Sequence, residues 1–411
     1  MPLGIYISVP FCRTKCSYCN FASDVFSNKV FGRYVDRLCS DIDHAASIAH
    51  YTGGAFESEV DSIYLGGGTP TVLDAAQLQK VFSAIRRTFS VQSQAEITVE
   101  CAPGTLTPVV VETLLRCGVN RVSLGVQSFV DPEAAAVGRL HKRSTVISEI
   151  QLLRESGIEN INIDLIAGLP HQTAESWQFS LDTLLGTGVP HGSVYMLEID
   201  EGSRLGRELI AGGTKYHAHF VPDENLTADF YEAACERLNA AGVAQYEISN
   251  LARPGCEARH NLKYWTRQPY LGFGVDAHSM LNGALELSML DPHTDQSNNR
   301  LEAVRFSTSD QLEAYVAGAP VTRTEVSMRA AVEEEFFLGL RLNSGVDLEN
   351  LRQRYGGAHC GGLLENVLPA LSDAISAGLL EREDQRLRLT PRGRLLSNEV
   401  FAAVLASSAK V

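Results

Sequence analysis

No stretch of this chain stays apolar for the ~20 residues that a helix needs to cross a bilayer, so a membrane span is excluded and membrane contact is at most peripheral. Positive charge is also short: 35 Lys and Arg against 49 Asp and Glu leave a net charge of −14. Binding a phosphate backbone without regard to sequence needs a basic surplus, so no nucleic-acid partner is expected. A disulfide framework is missing as well. The nine cysteines are an odd number, and six of them (Cys39, Cys101, Cys117, Cys235, Cys256 and Cys360) are scattered. A reduced, cytoplasmic location is therefore expected. The first apolar run has no basic segment before it and reads as a strand, not as a secretory signal. No internal repeat or low-complexity linker breaks the 411 residues, which suffice for one large domain and a smaller one.

The other three cysteines stand together in Cys12-Arg13-Thr14-Lys15-Cys16-Ser17-Tyr18-Cys19, after the apolar run Ile5-Tyr6-Ile7-Ser8-Val9-Pro10. A loop this short can wrap three sulfurs around one inorganic core, and thiolates are the usual ligands of iron–sulfur clusters. A four-iron core held by three sulfurs keeps one iron open, and an open coordination site marks chemistry rather than scaffolding. The motif supplies no fourth thiol, because Phe21 stands where one would follow. A structural zinc site and unrelated buried thiols are the competing readings. Zinc usually pairs two CxxC-type half-sites, and the chain has no such partner pair.

Strand-like runs at 5–9, 60–65, 96–100, 121–127, 160–166 and 193–199 alternate with helical runs such as 30–51, 74–89 and 174–185. In the last, Trp177, Leu181, Leu184 and Leu185 share a face at helical spacing. Six strand–helix units in order imply parallel strands with right-handed crossovers, in an open sheet or a partial barrel. The strands favour the barrel, because several alternate instead of being apolar on both faces. Ile5, Ile7 and Val9 oppose Tyr6 and Ser8; Ile97 and Val99 oppose Thr98 and Glu100; Val122, Leu124 and Val126 oppose Ser123, Gly125 and Gln127; Ile161, Ile163 and Leu165 oppose Asn162 and Asp164. The inner wall is then polar and partly open. Glu100, Gln127 and Asp164 fall near the C-terminal strand ends, where barrel enzymes place their sites.

The predicted class is α/β: a partial (β/α)6 barrel over 1–215, an α/β extension over 216–320 and a small winged-helix-like module over 321–411. The extension reads as a helix at 223–241, a short strand at 245–249 and an irregular stretch at 250–283. The module reads as helices at 329–341, 348–354 and 364–377, then strands at 380–383 and 387–389. Its third helix carries Asn366, Ser372, Asp373 and Ser376 and no basic row to enter a groove, so an interaction or lid role is expected over DNA reading. Gly66-Gly67-Gly68-Thr69-Pro70 follows the second strand. Three glycines let a backbone approach a ligand closely, with N–H groups available to a carboxylate, although a tight turn alone also uses them.

Together, CxxxCxxC after the first strand, GGGTP after the second and polar residues at later strand ends resemble the radical S-adenosylmethionine (SAM) superfamily. That resemblance implies a [4Fe–4S] cluster on Cys12, Cys16 and Cys19. Its open iron would bind the methionine amine and carboxylate of SAM, and an electron from the cluster can cleave the sulfonium to a 5′-deoxyadenosyl radical. The runs from Tyr6 to Cys12, Gly125 to Phe129 and Asn162 to Pro170 are similar to the oxygen-independent coproporphyrinogen III oxidase family over most of residues 1–340. The likeness implies SAM contacts from Tyr6, Tyr18, Gly67, Gly68, Thr69, Glu100, Gln127, Arg139 and Asp164. Three of these, Glu100, Gln127 and Asp164, are also the residues that strand parity singles out.

Two departures point away from the decarboxylating oxidase. Its cluster motif continues with a further Cys two residues after the third, where this chain has Phe21. The run His260-Asn261-Leu262-Lys263-Tyr264-Trp265 resembles instead the sister group, the heme chaperones. That likeness implies heme at His260 and delivery to a heme-accepting protein; the sequence leaves monomer and homodimer both open. The residues suit such a role. An imidazole can ligate heme iron, Tyr264 and Trp265 can lie on a porphyrin, and Arg259, Lys263 and Arg267 can meet propionates. A packed loop histidine is the competing reading of His260, and His278 is a second candidate. The oxidase itself, carrying out SAM-dependent decarboxylation of propionates, is the alternative function.

Overall fold

The computed structural model of the protein describes residues 1–284, 301–355, 364 and 367–406. Cys360, Asn366 and part of the helix predicted at 364–377 lie outside those residues. Twelve strands form one sheet: β1 Leu3–Val9, β2 Glu59–Gly67, β3 Ser90–Cys101, β4 Arg121–Gln127, β5 Asn160–Ala167, β6 His191–Met196, β7 Ala244–Gln245, β8 Asn250–Ala252, β9 Tyr270–Gly274, β10 His278–Asn282, β11 Leu301–Ser307 and β12 Thr322–Ser327. Their spatial order is β12-β11-β10-β9-β1-β2-β3-β4-β5-β6-β8-β7. From β9 through β6 all neighbours run parallel, and the strands outside that stretch are antiparallel. This is an α/β fold on a large parallel sheet, as the alternation of elements implies.

The six predicted strands are all present, with ends that differ. The strand expected at 193–199 runs His191–Met196, pairing up to Ala167; there Gly168 turns β5 away at φ 94° and leaves nothing further to pair. The helix expected at 30–51 is two helices, Lys29–Asp43 and Ala45–Thr52, broken at His44. The strand expected at 245–249 is only Ala244–Gln245, with β8 pairing antiparallel after a turn. The stretch expected to be irregular, 250–283, holds a helix (Arg259–Trp265) and three sheet strands, β8, β9 and β10. β9 joins the sheet beside β1, and β12 continues it past 320.

Helix ends follow local chemistry. Ala75–Thr88 starts from Asp74, whose side chain and that of Gln77 cap each other's backbone N–H. Ala174–Thr187 has the same device in Thr173 and Ser176 and stops at left-handed Gly188. These helices bury Leu78, Val81, Phe82, Ile85, Trp177, Leu181 and Leu184, with Leu185 half-buried, against the apolar strand faces that carry Ile5, Ile7, Val99, Val122 and Ile163.

The opposite, inner face of the parallel strands is polar, as parity predicts. It is open only near the strand C-termini. Deeper in, Asn162 Nδ2–H bonds reach Ser123 Oγ (2.8 Å), Asp164 Oδ1 (2.7 Å) and Ser193 Oγ (3.0 Å), and Ser193 donates to Asn250 Oδ1 (2.7 Å). Buried polar groups that satisfy one another in this way rigidify a wall. A second core, with Val332, Phe336, Leu351, Leu371, Leu387 and Val404, unites the C-terminal helices and a small antiparallel sheet of 346–347, 386–389 and 380–383.

Candidate active site

The cysteine loop leaves β1 and closes on itself. Cys12 N–H bonds the Asp24 carbonyl and Asp24 N–H bonds the Pro10 carbonyl, each at 3.0 Å. Phe11 anchors the neck, buried and stacked 3.9 Å from Phe31. Farther round, Ser17 N–H bonds Val137 O (3.1 Å), and Arg204 Nη1–H bonds Lys15 O (3.0 Å). These bonds fix where the three sulfurs point, and all three cysteines line one pocket of about 490 Å³. Thr69 Oγ1–H reaches Cys12 Sγ (3.8 Å) and Arg139 Nη1–H reaches Cys16 Sγ (3.4 Å). Among the described residues no three His, Cys, Asp or Glu side chains converge tightly enough for a single metal ion. Three thiols ringing a roomy pocket, with donors aimed at two of the sulfurs, suit a multi-iron core better than a lone zinc ion.

Gly67, Gly68 and Thr69 line the same pocket, but their N–H groups are not available to a carboxylate. Gly68 N–H bonds Val9 O (2.8 Å), Thr69 N–H bonds Phe11 O (2.7 Å), and Gly67 N–H bonds the Glu100 carboxylate. The turn therefore clamps the root of the cysteine loop. A Cβ on Gly68 would stand 2.7 Å from both carbonyl oxygens, which is why glycine is required there.

Glu100, Gln127 and Asp164 reach the pocket from the ends of β3, β4 and β5. Glu100 accepts from Tyr64 Oη–H at 2.7 Å, and burial pushes its carboxyl up to about 7 in spite of that bond. Burial also raises Asp164, against bonds from Ser193, Asn162 and Ser123. Gln127 holds a left-handed backbone at φ 70°, a conformation that a non-glycine residue adopts at a cost and that recurs at ligand sites. Arg139 lies across the pocket wall, its Nη2–H bonded to the Gly125 carbonyl; a Cβ on Gly125 would press to 2.6 Å of that nitrogen. Tyr18 completes the wall against Val137, Ile166 and Leu169.

Two further pocket residues were not singled out by sequence reasoning. Tyr195 lies on β6 across from Ile166, one strand beyond Asp164, and parity could have found it. His141 follows Arg139, and its Nε2 is buried without a partner at the pocket wall. An orphaned buried nitrogen beside a cavity is a group awaiting a ligand. Burial and the neighbouring Arg139 hold the His141 imidazole down at about 4, so it is neutral and able to accept a hydrogen bond.

Tyr6 and His260 are placed elsewhere. Tyr6 lines a separate cavity of about 290 Å³, with its ring stacked 6.2 Å from Tyr64 and 6.4 Å from His260. His260 is 1% exposed; Nδ1 pairs with Ser62 Oγ (3.0 Å) and Nε2 with Tyr264 Oη (2.8 Å). With both nitrogens engaged inside the protein, neither is open to a metal in this arrangement. The basic residues expected to meet propionates are also engaged. Lys263 is buried on Asp61 (2.7 Å), Arg267 on Glu334 (2.7 Å), and Arg259 Nη1–H bonds Gln94 O (2.9 Å). Trp265 lies under the Arg341 guanidinium, 4.6 Å away. The HNxxYW helix thus braces the sheet, through buried His260 and Lys263, against the C-terminal module, through Trp265, and its Tyr264 lines the cavity that holds Tyr6.

A family model described as the radical SAM superfamily matches residues 6–184, and one described as the HemN C-terminal domain matches 326–396. Among similar proteins, the heme chaperone HemW of Bacillus subtilis is 34% identical over 403 residues, covering 97% of this chain and 98% of its own. HemW of Lactococcus lactis is 31% identical over 410 residues (98% and 97%), and that of Escherichia coli 30% over 407 residues (98% of each). The solved Escherichia coli coproporphyrinogen III oxidase HemN, a radical SAM enzyme, superposes with a TM-score of 0.79 over 98% of this chain and 90% of its own. At 23% identity that last likeness speaks for the fold alone.

Proposed function

The chain belongs to the HemW family of radical SAM heme chaperones, and from that premise we propose that it carries a [4Fe–4S] cluster, binds SAM and loads heme onto an acceptor protein. The observation that carries the proposal is the convergence of Cys12, Cys16 and Cys19 with Glu100, Gln127, Arg139 and Asp164 on one pocket. Cys12, Cys16 and Cys19 hold the cluster. When bound, the cluster supplies an open iron to anchor SAM and an electron for cleaving its sulfonium.

The chain's own residues position the cofactor. Glu100 and Asp164 are acceptors suited to ribose hydroxyls and an ammonium group. Arg139 presents a planar guanidinium suited to a carboxylate. Tyr18 and Tyr195 offer flat faces to the adenine side, and His141 offers its unpaired Nε2. Gly67, Gly68 and Thr69 act by packing and by holding the loop. His260 acts as a buried brace, and Tyr6 faces the neighbouring cavity.

The oxidase reading has less support. Relatives at 30% identity and above over the whole chain bear the chaperone name, the oxidase likeness reaches only the fold, and Phe21 stands where a further cysteine would follow. Purified anaerobically with its cluster, the protein is expected to bind heme and to leave coproporphyrinogen III unchanged. Conversion of coproporphyrinogen III to protoporphyrinogen would overturn the assignment.

A further inference from the structure

We infer that heme docks in the cavity under Tyr264 with His278, not His260, as its protein ligand; this rests on the heme-chaperone reading above. The cavity of about 290 Å³ is walled by Tyr6, Tyr264 and Tyr270 and shares Phe21 and Gly67 with the cysteine pocket. Tyr264 and Tyr270 meet edge to face at 4.6 Å, presenting aromatic surface of the kind that suits a flat macrocycle. Phe21, the residue standing in place of a further cysteine, is 65% exposed on the shared rim. An exposed phenylalanine between two cavities offers an apolar face against which a porphyrin edge can pack.

The cavity holds one imidazole within reach of a ligand. His278 opens β10 with its side chain 68% exposed, and among the described residues no hydrogen bond takes either ring nitrogen. Asp276 Oδ1 lies 3.7 Å from its Nε2, at an exposed turn held by Asp276 N–H on Ser309 O (2.9 Å). A carboxylate behind an imidazole orients the ring and strengthens it as a metal ligand through the other nitrogen. Here that leaves Nδ1 for iron. The backbone beneath is fixed too: β9 passes so close that any Cβ on Gly272 would overlap the His278 carbonyl. His260, by contrast, would have to break bonds to Ser62 and Tyr264 and leave a buried site.

The placement also suits release. A cavity of this size takes one edge of a porphyrin, and an exposed histidine at its rim leaves the opposite metal face to a receiving protein.

The test is hemin titration of the full-length, cluster-loaded protein, read as difference absorbance and EPR. His278→Ala is expected to lose the histidine-ligated Soret band and weaken hemin binding by about tenfold or more, with free imidazole restoring the band. Asp276→Asn is expected to weaken binding about 10–100-fold, as loss of a partner behind a ligand does. His260→Gln, whose amide can still span Ser62 and Tyr264, is expected to keep the wild-type ligand signature. Retained cluster absorbance reports that each variant is folded. An unaltered Soret band in His278→Ala, or its loss in His260→Gln alone, would overturn the inference while leaving the chaperone reading standing. Failure of the wild type to take up hemin would overturn that reading itself.

Discussion

Buried between a serine and a tyrosine hydroxyl, the His260 ring is a costly place for a second proton. Burial, aided by Lys263, brings it down to about 3. In the unfolded chain an imidazole protonates near 6.5. Between those values the unfolded state binds more protons, so the stability His260 contributes is complete above about pH 6.5 and is lost as pH falls toward 3. Comparing wild type with His260→Gln isolates this group from the buried carboxylates, such as Glu100, whose raised values act in the opposite sense. From pH 7.5 to 5.5 the wild type should lose about 1 kcal/mol relative to the variant in urea unfolding. A gap independent of pH would mean that His260 is solvated. The residue also marks how far sequence reading of the site reaches. Glu100, Gln127 and Asp164 were legible because strand parity assigns a side chain to a face. His260 was not, because which atoms occupy its nitrogens depends on Ser62, 198 residues away in the chain.

Glycine carries the corresponding lesson among the elements. The six parallel strands that begin each strand–helix unit were legible from alternation, since apolar and polar residues take opposite faces of the sheet. β9 was not, because Tyr270-Leu271-Gly272-Phe273-Gly274 has the glycines and aromatics of a loop. Here the glycines serve close strand packing. Gly274 has φ 104°, and a Cβ there would overlap the Ser8 carbonyl of β1. Gly274→Ala should therefore cost at least about 2 kcal/mol and loosen the strand pair, β9 and β10, that carries Tyr270 and His278. Gly157 is a matched control: its φ is 92° but nothing lies within 4 Å of the added carbon, so Gly157→Ala should cost about 1 kcal/mol, the backbone term alone. Equal losses in chemical denaturation would contradict the packing role. The GGGTP turn shows the same limit of pattern reading. Its motif was visible, but its N–H groups prove to serve the Val9 and Phe11 carbonyls and the Glu100 carboxylate.

The molecule as a whole is held together by the brace that sequence reading assigned to heme. Glu334 of the C-terminal module meets Arg267 at 2.7 Å and Arg305 at 3.1 Å, joining the module to the turn after the HNxxYW helix and to β11. Removing one side of a buried ion pair strands the other charge and costs about 3–5 kcal/mol. Glu334→Ala leaves buried Arg267 only the longer contact to Glu302 (4.0 Å) and should lose close to that much, whereas Arg267→Ala leaves Glu334 with half-exposed Arg305 and should lose less. Faster proteolytic release of the module in Glu334→Ala would accompany the loss, and equal stability of the two variants would contradict the arrangement. This brace keeps the C-terminal module seated beside the cavity that opens next to the cysteine pocket. The account as a whole depends on those cysteines leaving an iron free for SAM. Anaerobic reconstitution followed by iron analysis and EPR of the reduced protein, with and without SAM, tests this most directly. About four irons per chain, a cluster signal that changes when SAM is added, and loss of both in the Cys12→Ala, Cys16→Ala, Cys19→Ala variant are the predicted result. Iron retained by that variant, or a signal indifferent to SAM, would contradict it.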